Sequence, residues 1–308
     1  MRILFLIITL VITNQLFSQN NFVIYTLGIT QDAGFPQAGC TKICCKEAWK
    51  NSAKSKMATC LAIADTVNKK WWMVEATPDF KNQFSLFNTL TKNKYSYLPN
   101  GIFITHAHMG HYTGLMQLGR EAINSNQIPV YVLSNLKFFL ENNGPWSQLV
   151  TLKNINLHEL NNKSLLQISQ GFEVIAFTVP HRDEFSETAG FQFILNKKKV
   201  VFIPDIDKWE KYTEDVNQIF YDCSLAFIDG TFYKDGELVG RSMKEVPHPF
   251  VKESMDLFKS LKISLKNKIY FIHFNHTNPL LIKNSKEKHE VLLKNFRIAD
   301  EGVLYSVN

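Results

Sequence analysis

The sequence predicts a layered α/β protein, with sheets in the middle and helices outside. Three observations carry that expectation. Nine short, apolar, β-rich runs recur along the chain, and four stretches with apolar residues at every third or fourth position interrupt them. The chain has 308 residues, 45% of them hydrophobic, enough to bury one large core. No internal repeat, low-complexity linker or composition break divides it, so a single domain over residues 22–308 is expected.

Residues 1–18 read as a secretory signal, with Arg2 as the positive end, 3–12 as the apolar core and Leu16-Phe17-Ser18 as a cleavage site before Gln19. The apolar run is short for a membrane span, and an uncleaved anchor is the alternative. No later stretch approaches that length, so the expectation is a soluble periplasmic or secreted protein. Strands are expected at 22–27, 71–74, 101–105, 130–133, 172–179, 191–195, 200–203, 225–228 and 269–274. Helices are expected at 111–124, 136–142, 250–261 and 286–295. Lys197-Lys198-Lys199 reads as a solvated hairpin turn. The net charge of +6 suits a small anionic substrate, but equally a merely soluble protein; no nucleic-acid partner is expected.

Chemistry enters with Ile-Thr-His-Ala-His-Met-Gly-His, which places His106, His108 and His111 on a strand-to-helix turn. One histidine on an apolar segment is commonly a hydrogen-bonded core residue. Three buried together would leave several ring nitrogens unsatisfied unless a metal ion binds them. Further ligands belong at the ends of other apolar runs: His181, Asp205, His273 and His276 follow such runs, and His248 precedes a helix. His158 and His289 lack such a setting and read as surface or helix-face residues.

Five cysteines are present, three of them (Cys40, Cys44, Cys45) within six residues. An odd total and an adjacent pair are poorly suited to disulfides. Thiolate coordination of zinc fits better, and it needs one more ligand from elsewhere.

At this point the chain resembles the metallo-β-lactamase superfamily, whose pattern is His-x-His-x-Asp-His, then His, Asp and His. Here stand His106, His108, Gly110 and His111, then His181, Asp205 and His273. The resemblance spans nearly all of the mature chain and implies an αββα sandwich, two central sheets with helices on the outer faces. Within the superfamily, four strings are similar to pyrroloquinoline-quinone (PQQ) biosynthesis protein B-like members. They are Gly34-Phe35-Pro36-Gln37, Ala76-Thr77-Pro78-Asp79, Asp229-Gly230-Thr231-Phe232, and Ile272-His273-Phe274-Asn275 with Thr277-Asn278-Pro279. A second likeness is to the cyclic-phosphate phosphodiesterases of phosphonate metabolism, in which a histidine three residues beyond the last catalytic one completes a cysteine cluster. That likeness implies a structural zinc on Cys40, Cys44, Cys45 and His276, although the cysteine spacing departs from the usual Cys-x-Cys-x-x-Cys. His248 resembles a histidine that protonates the leaving group in the phosphodiesterase and transfer-RNA-processing branches. Cys60 and Cys223 match no ligand position and read as buried free thiols.

The resemblance implies a first metal site of His106, His108 and His181 and a second of His111 and His273, with Asp205 shared. Gly110 stands where the family has an aspartate, so the second site is expected to be weak, giving one ion, or a tight and a loose one, of zinc, manganese or iron. The leading functional expectation is an exported hydrolase of an ester or phosphodiester that uses metal-activated water, with His248 and Asp205 as catalytic residues. One alternative is a non-haem iron oxygenase-type step in quinone cofactor biosynthesis on His111, His273 and Asp205. The other is a metal-stabilised binding protein without catalysis, supported by Gly110 alone. Substrate choice is assigned to loops over the metal cleft, with Phe35, Phe80 and residues 140–146 as candidates.

Overall fold

The computed structural model describes residues 22–238, 240, 242–243 and 246–307; the signal-like segment 1–18 lies outside them. In the first half of the chain, β1 (Phe22–Gly28) leads through a loop to α1 (Ile43–Lys50) and then to the hairpin of β2 (Cys60–Asp65) and β3 (Lys70–Val74). There follow α2 (Phe80–Thr91), β4 (Ile102–Phe103), α3 (Met109–Tyr112), β5 (Ile128–Val132), α4 (Ser134–Asn142), α5 (Trp146–Thr151) and β6 (Ile155–Glu159). The second half runs β7 (Leu165–Ser169), β8 (Phe172–Val179), β9 (Thr188–Leu195), β10 (Lys198–Ile203), α6 (Val216–Phe220) and β11 (Cys223–Asp229). It continues with α7 (Val251–Leu257), α8 (Ile263–Lys266), β12 (Ile269–Ile272), α9 (Lys286–Leu293) and β13 (Arg297–Ile298), and β14 (Leu304–Ser306) returns beside β1.

Two seven-stranded sheets result, in the orders β14-β1-β2-β3-β4-β5-β6 and β13-β12-β11-β10-β9-β8-β7. Both follow one plan. Counting from β14 or from β7, three antiparallel pairings are followed by three parallel ones. Parallel neighbours point their carboxyl ends the same way, and loops leaving those ends can converge on one place, the usual ligand position in mixed α/β sheets.

Side-chain alternation along β3 shows the layers. Trp72 and Val74 enter the core between the sheets, where Trp72 meets Phe172 edge-on at 4.9 Å, while Trp71 and Met73 face outward. On that outer face Trp71 stacks on Phe87 of α2 at 4.2 Å. On the far side, Val251 and Met255 of α7 pack with Trp209, Phe220 and Phe258. This is the expected αββα sandwich. Asn196 and Lys197, both at positive φ, form the two-residue turn joining β9 to β10, so the lysine triplet lies at a hairpin as expected.

Several expectations need correction. The helix expected at 111–124 is only α3 followed by a 3-10 segment, Thr113–Leu118. The carbonyl of His111 accepts from Ala76 N and Gly114 N donates to the Ala76 carbonyl, both at 2.8 Å, so the backbone is tied to the loop after β3 instead of its own helix. Helices at 250–261 and 286–295 are shorter than expected, ending at Leu257 and Leu293. β2 escaped because it is buried on both faces and shows no alternation. Phe80 is no cleft residue: it is fully buried under the first sheet at the start of α2. Among the described residues, no helix is long and apolar enough to cross a membrane.

Candidate metal centre and cleft

The centre is built from strand ends. Directly after β3 and β12, Glu75 and His273 take positive φ values of 74° and 69°, a conformation that costs a non-glycine residue about 1–3 kcal/mol. Both side chains are buried. Glu75 Oε1 accepts from Thr105 Oγ1 at 2.6 Å, and that hydroxyl lies 2.9 Å from His106 Nδ1. The second sheet repeats the device: Thr231 Oγ1 donates to Asp229 Oδ1 at 2.7 Å and lies 2.9 Å from His273 Nδ1. A threonine that gives its proton to a carboxylate can only accept from the imidazole, which fixes the ring's proton on Nδ1.

The opposite nitrogens are consequently bare. Nε2 of His106, of His111 and of His273 is buried without a hydrogen-bond partner among the described residues. Each such orphan costs roughly 1–3 kcal/mol, and a neutral imidazole held through Nδ1 with Nε2 free is the form that binds a divalent ion. All six metal ligands expected from the sequence are brought together. His106, His108, His181 and Asp205 each place one ligand atom within 4.8 Å of the others. His111 and His273 form a neighbouring group. Asp205 Oδ2 lies 3.2 Å from His181 Nε2, 3.4 Å from His106 Nε2 and 3.8 Å from His111 Nε2, so it joins the two. His108 is anchored differently, with Nε2 at 2.8 Å from Glu184 and Nδ1 turned to His181 Nε2 at 3.3 Å.

Electrostatics favour the neutral, ligating form at three of the rings. Burial lowers the basicity of His106 and His108 and takes His273 down to about 4, so these rings are neutral near pH 7. His111 goes the other way: burial opposes its charge, but Glu75 and Asp32 outweigh burial and raise it well above the usual range. Burial likewise works against the charge on Asp205, yet His181 and His248 hold it well below the usual carboxylate range.

His248 is buried, with Nδ1 2.9 Å from Asp229 Oδ2 and 3.2 Å from Asp205 Oδ1. Burial alone would discharge it; the two carboxylates instead lift it to about 10. It lines a cleft of about 410 Å³ together with Asp32, Met109, Arg182, Phe232 and His276. Neither Phe35 nor residues 140–146 line it. Phe35 pairs with Lys56 and Leu140 lies in the core, which corrects the expected substrate loops. Arg182 and Asp32 are the charged cleft residues that sequence reasoning missed; Arg182 simply follows His181, and Asp32 lies just before the Gly34-Phe35-Pro36-Gln37 string.

Beside the cleft, Cys40, Cys44, Cys45 and His276 each place one ligand atom within 4.8 Å of the others, and the sulfurs of Cys40 and Cys44 are 3.7 Å apart. A tetrahedron with Zn–S bonds of about 2.3 Å has edges of about 3.8 Å. Burial pushes the Cys45 thiol up to about 12 and raises that of Cys44, while at Cys40 burial is outweighed by hydrogen bonds from the Lys42 backbone and the neighbouring thiols, which lower it; a bound cation would favour all three thiolates together. Cys60 and Cys223 are free and buried. His158 lies against Tyr131 at 5.2 Å and His289 is exposed, both away from these groups.

Residues 70–274 match the beta-lactamase superfamily domain, and the chain belongs to the metallo-β-lactamase superfamily. Along nearly its whole length it is similar to coenzyme PQQ synthesis protein B. The protein of that name from Acinetobacter baumannii (strain ACICU) is 26% identical over 307 residues, which cover 91% of this chain and 98% of that one. The crystal structure of Zn(2+)-bound PqqB from Methylobacterium extorquens matches with a TM-score of 0.76 at 17% identity, covering 92% of this chain and 99% of that one. A diphosphatase of the PhnP family matches with a TM-score of 0.67 at 17% identity, covering 93% and 97%. These two structural likenesses bear out the fold.

Proposed function

We propose that the protein is an exported, metal-dependent hydrolase of a small anionic ester or phosphodiester, soluble after loss of its leader and without a nucleic-acid partner. The observation that carries this reading is His248, held by Asp229 on the cleft wall and 3.2 Å from the Asp205 carboxylate that joins the two imidazole groups. His106, His108, His181 and Asp205 would hold one divalent ion, and His111 and His273, with Asp205 shared, a second. A bound divalent ion supplies positive charge that brings the pKa of its water towards neutrality. His248 carries a proton at the cleft and delivers it to the departing oxygen, while Asp229 keeps the ring oriented. Arg182, on the same cleft, gives an anionic substrate a counter-charge. Export rests on the pattern of residues 1–18.

Turnover of an aryl phosphodiester is expected to vanish on chelation and return with Zn²⁺ or Mn²⁺. His248→Ala should lower kcat by roughly 10²–10⁴, most for esters with poor leaving groups. His106→Ala with full activity sinks the reading.

A second reading, an oxidative step on a quinone cofactor precursor, is favoured by the name of the relatives and by two histidines with a carboxylate, a set that suits iron. Iron after anaerobic purification, with oxygen uptake on a quinone precursor, would put it first. A third reading, a metal-stabilised binding protein without catalysis, rests on Gly110 alone.

A further inference from the structure

We infer that Asp32 is a carboxylate ligand of the second cation, delivered by the loop after β1 into space that Gly110 leaves open. This deepens the metal-dependent reading above and rests on it. Asp32 Oδ1 is buried, lacks a hydrogen-bond partner among the described residues and lies 3.4 Å from His111 Nε2. Nε2 of His111 and Nε2 of His273 are buried and unpartnered as well, on side chains that are 1% exposed. The three residues place one ligand atom each within 4.8 Å of one another. Facing lone pairs in a buried pocket repel unless a proton or a cation lies between them, and two imidazoles with a carboxylate are a divalent-ion set.

Gly110 shows why this carboxylate and no other can serve. A Cβ at 110 would fall 2.1 Å from Asp32 Oδ1 and 2.4 Å from its Cα. Real side chains do not approach so closely. A carboxylate at 110 and Asp32 in its present place are therefore mutually exclusive, and the missing anion of the histidine run has been moved to another segment. The loop is fixed where it is needed: Gln31 N donates to the Phe274 carbonyl at 2.9 Å, and Asn275 Nδ2 donates to Gln31 Oε1 at 2.6 Å, next to His273.

The test is elemental analysis of the full chain, followed by Mn²⁺ titration after chelation. Asp32→Asn keeps size and shape, and is expected to bind one equivalent fewer than wild type or to hold the weakest ion with a dissociation constant raised beyond the ~10–100-fold typical of an outer-partner change. Gly110→Ala retains every carboxylate yet displaces Asp32, and should lose the same equivalent with the fold intact by circular dichroism. Wild-type stoichiometry and affinity in Asp32→Asn overturns the assignment, and an undisturbed second ion in Gly110→Ala overturns the exclusion argument. Should wild type hydrolyse nothing while Asp32→Asn still loses its ion, the hydrolase reading falls and the ligand assignment stands.

Discussion

Glu75 Oε1 lies 3.2 Å from His111 Nδ1, with both side chains buried. The same oxygen accepts from Thr105, whose hydroxyl faces His106 Nδ1. One carboxylate thus orients an imidazole of each group, and the strained turn after β3 is what brings it there.

On the proposed metal centre, Glu75→Gln should therefore weaken ion binding at the histidines while sparing the cysteine cluster. The amide keeps the shape but removes the charge that holds the two rings, and such partners are worth roughly 10–100-fold in metal affinity. Competition with a metallochromic chelator measures it. Unchanged affinity would show that Glu75 serves the fold and not the ligands.

The cysteine cluster stands beside the same centre, with His276 on the cleft wall. Cys40 lies on the loop that carries Asp32, and His276 lies three residues beyond His273. A cation bound there clips the two segments together. Cys45→Ser is expected to lose one zinc equivalent, to lower the melting temperature by on the order of 5–10 °C, and to loosen the second active-site ion. Loss of zinc with no change at the active centre would reduce the cluster to a purely local staple.

Much of this was legible in the sequence because strand ends are. All nine expected runs fall on strands, and the histidines and Asp205 that follow them converge because parallel strands end together. That Cys40, Cys44 and Cys45 group together with one further side chain was legible from their spacing, and that this side chain is His276 through resemblance. What escaped depends on approach in three dimensions. Gly110 read as a missing anion, since nothing local shows that Asp32, from a loop 78 positions earlier in the chain (110 minus 32), fills its space. Phe80 read as a loop residue because the outer-face cluster it joins, with Trp71 and Met73 of β3, forms only once α2 is docked. The helix after His111 failed because tertiary hydrogen bonds to Ala76 outcompete helical ones.

Glu301 supplies a test of stability away from the ions. Its Oε2 accepts from Met57 N at 2.6 Å, and the Met57 carbonyl accepts from Ile29 N and Thr30 N at the start of the Asp32 loop. Burial raises the Glu301 carboxyl to about 7 from an ordinary 4.5, more than the Met57 hydrogen bond lowers it. The folded state thus binds this proton more tightly than the unfolded state does. Its stabilising contribution is full below about pH 4.5 and is lost as pH rises through about 7. Glu301→Gln retains a carbonyl for Met57 N and cannot ionise. It should match wild type near pH 5 and melt higher by roughly 2–6 °C near pH 8, with both proteins held at the same metal saturation. A difference in melting temperature that is the same at both pH values would mean that Glu301 is ionised throughout, and that the loop bearing Asp32 is secured by a charge and not by a neutral acid.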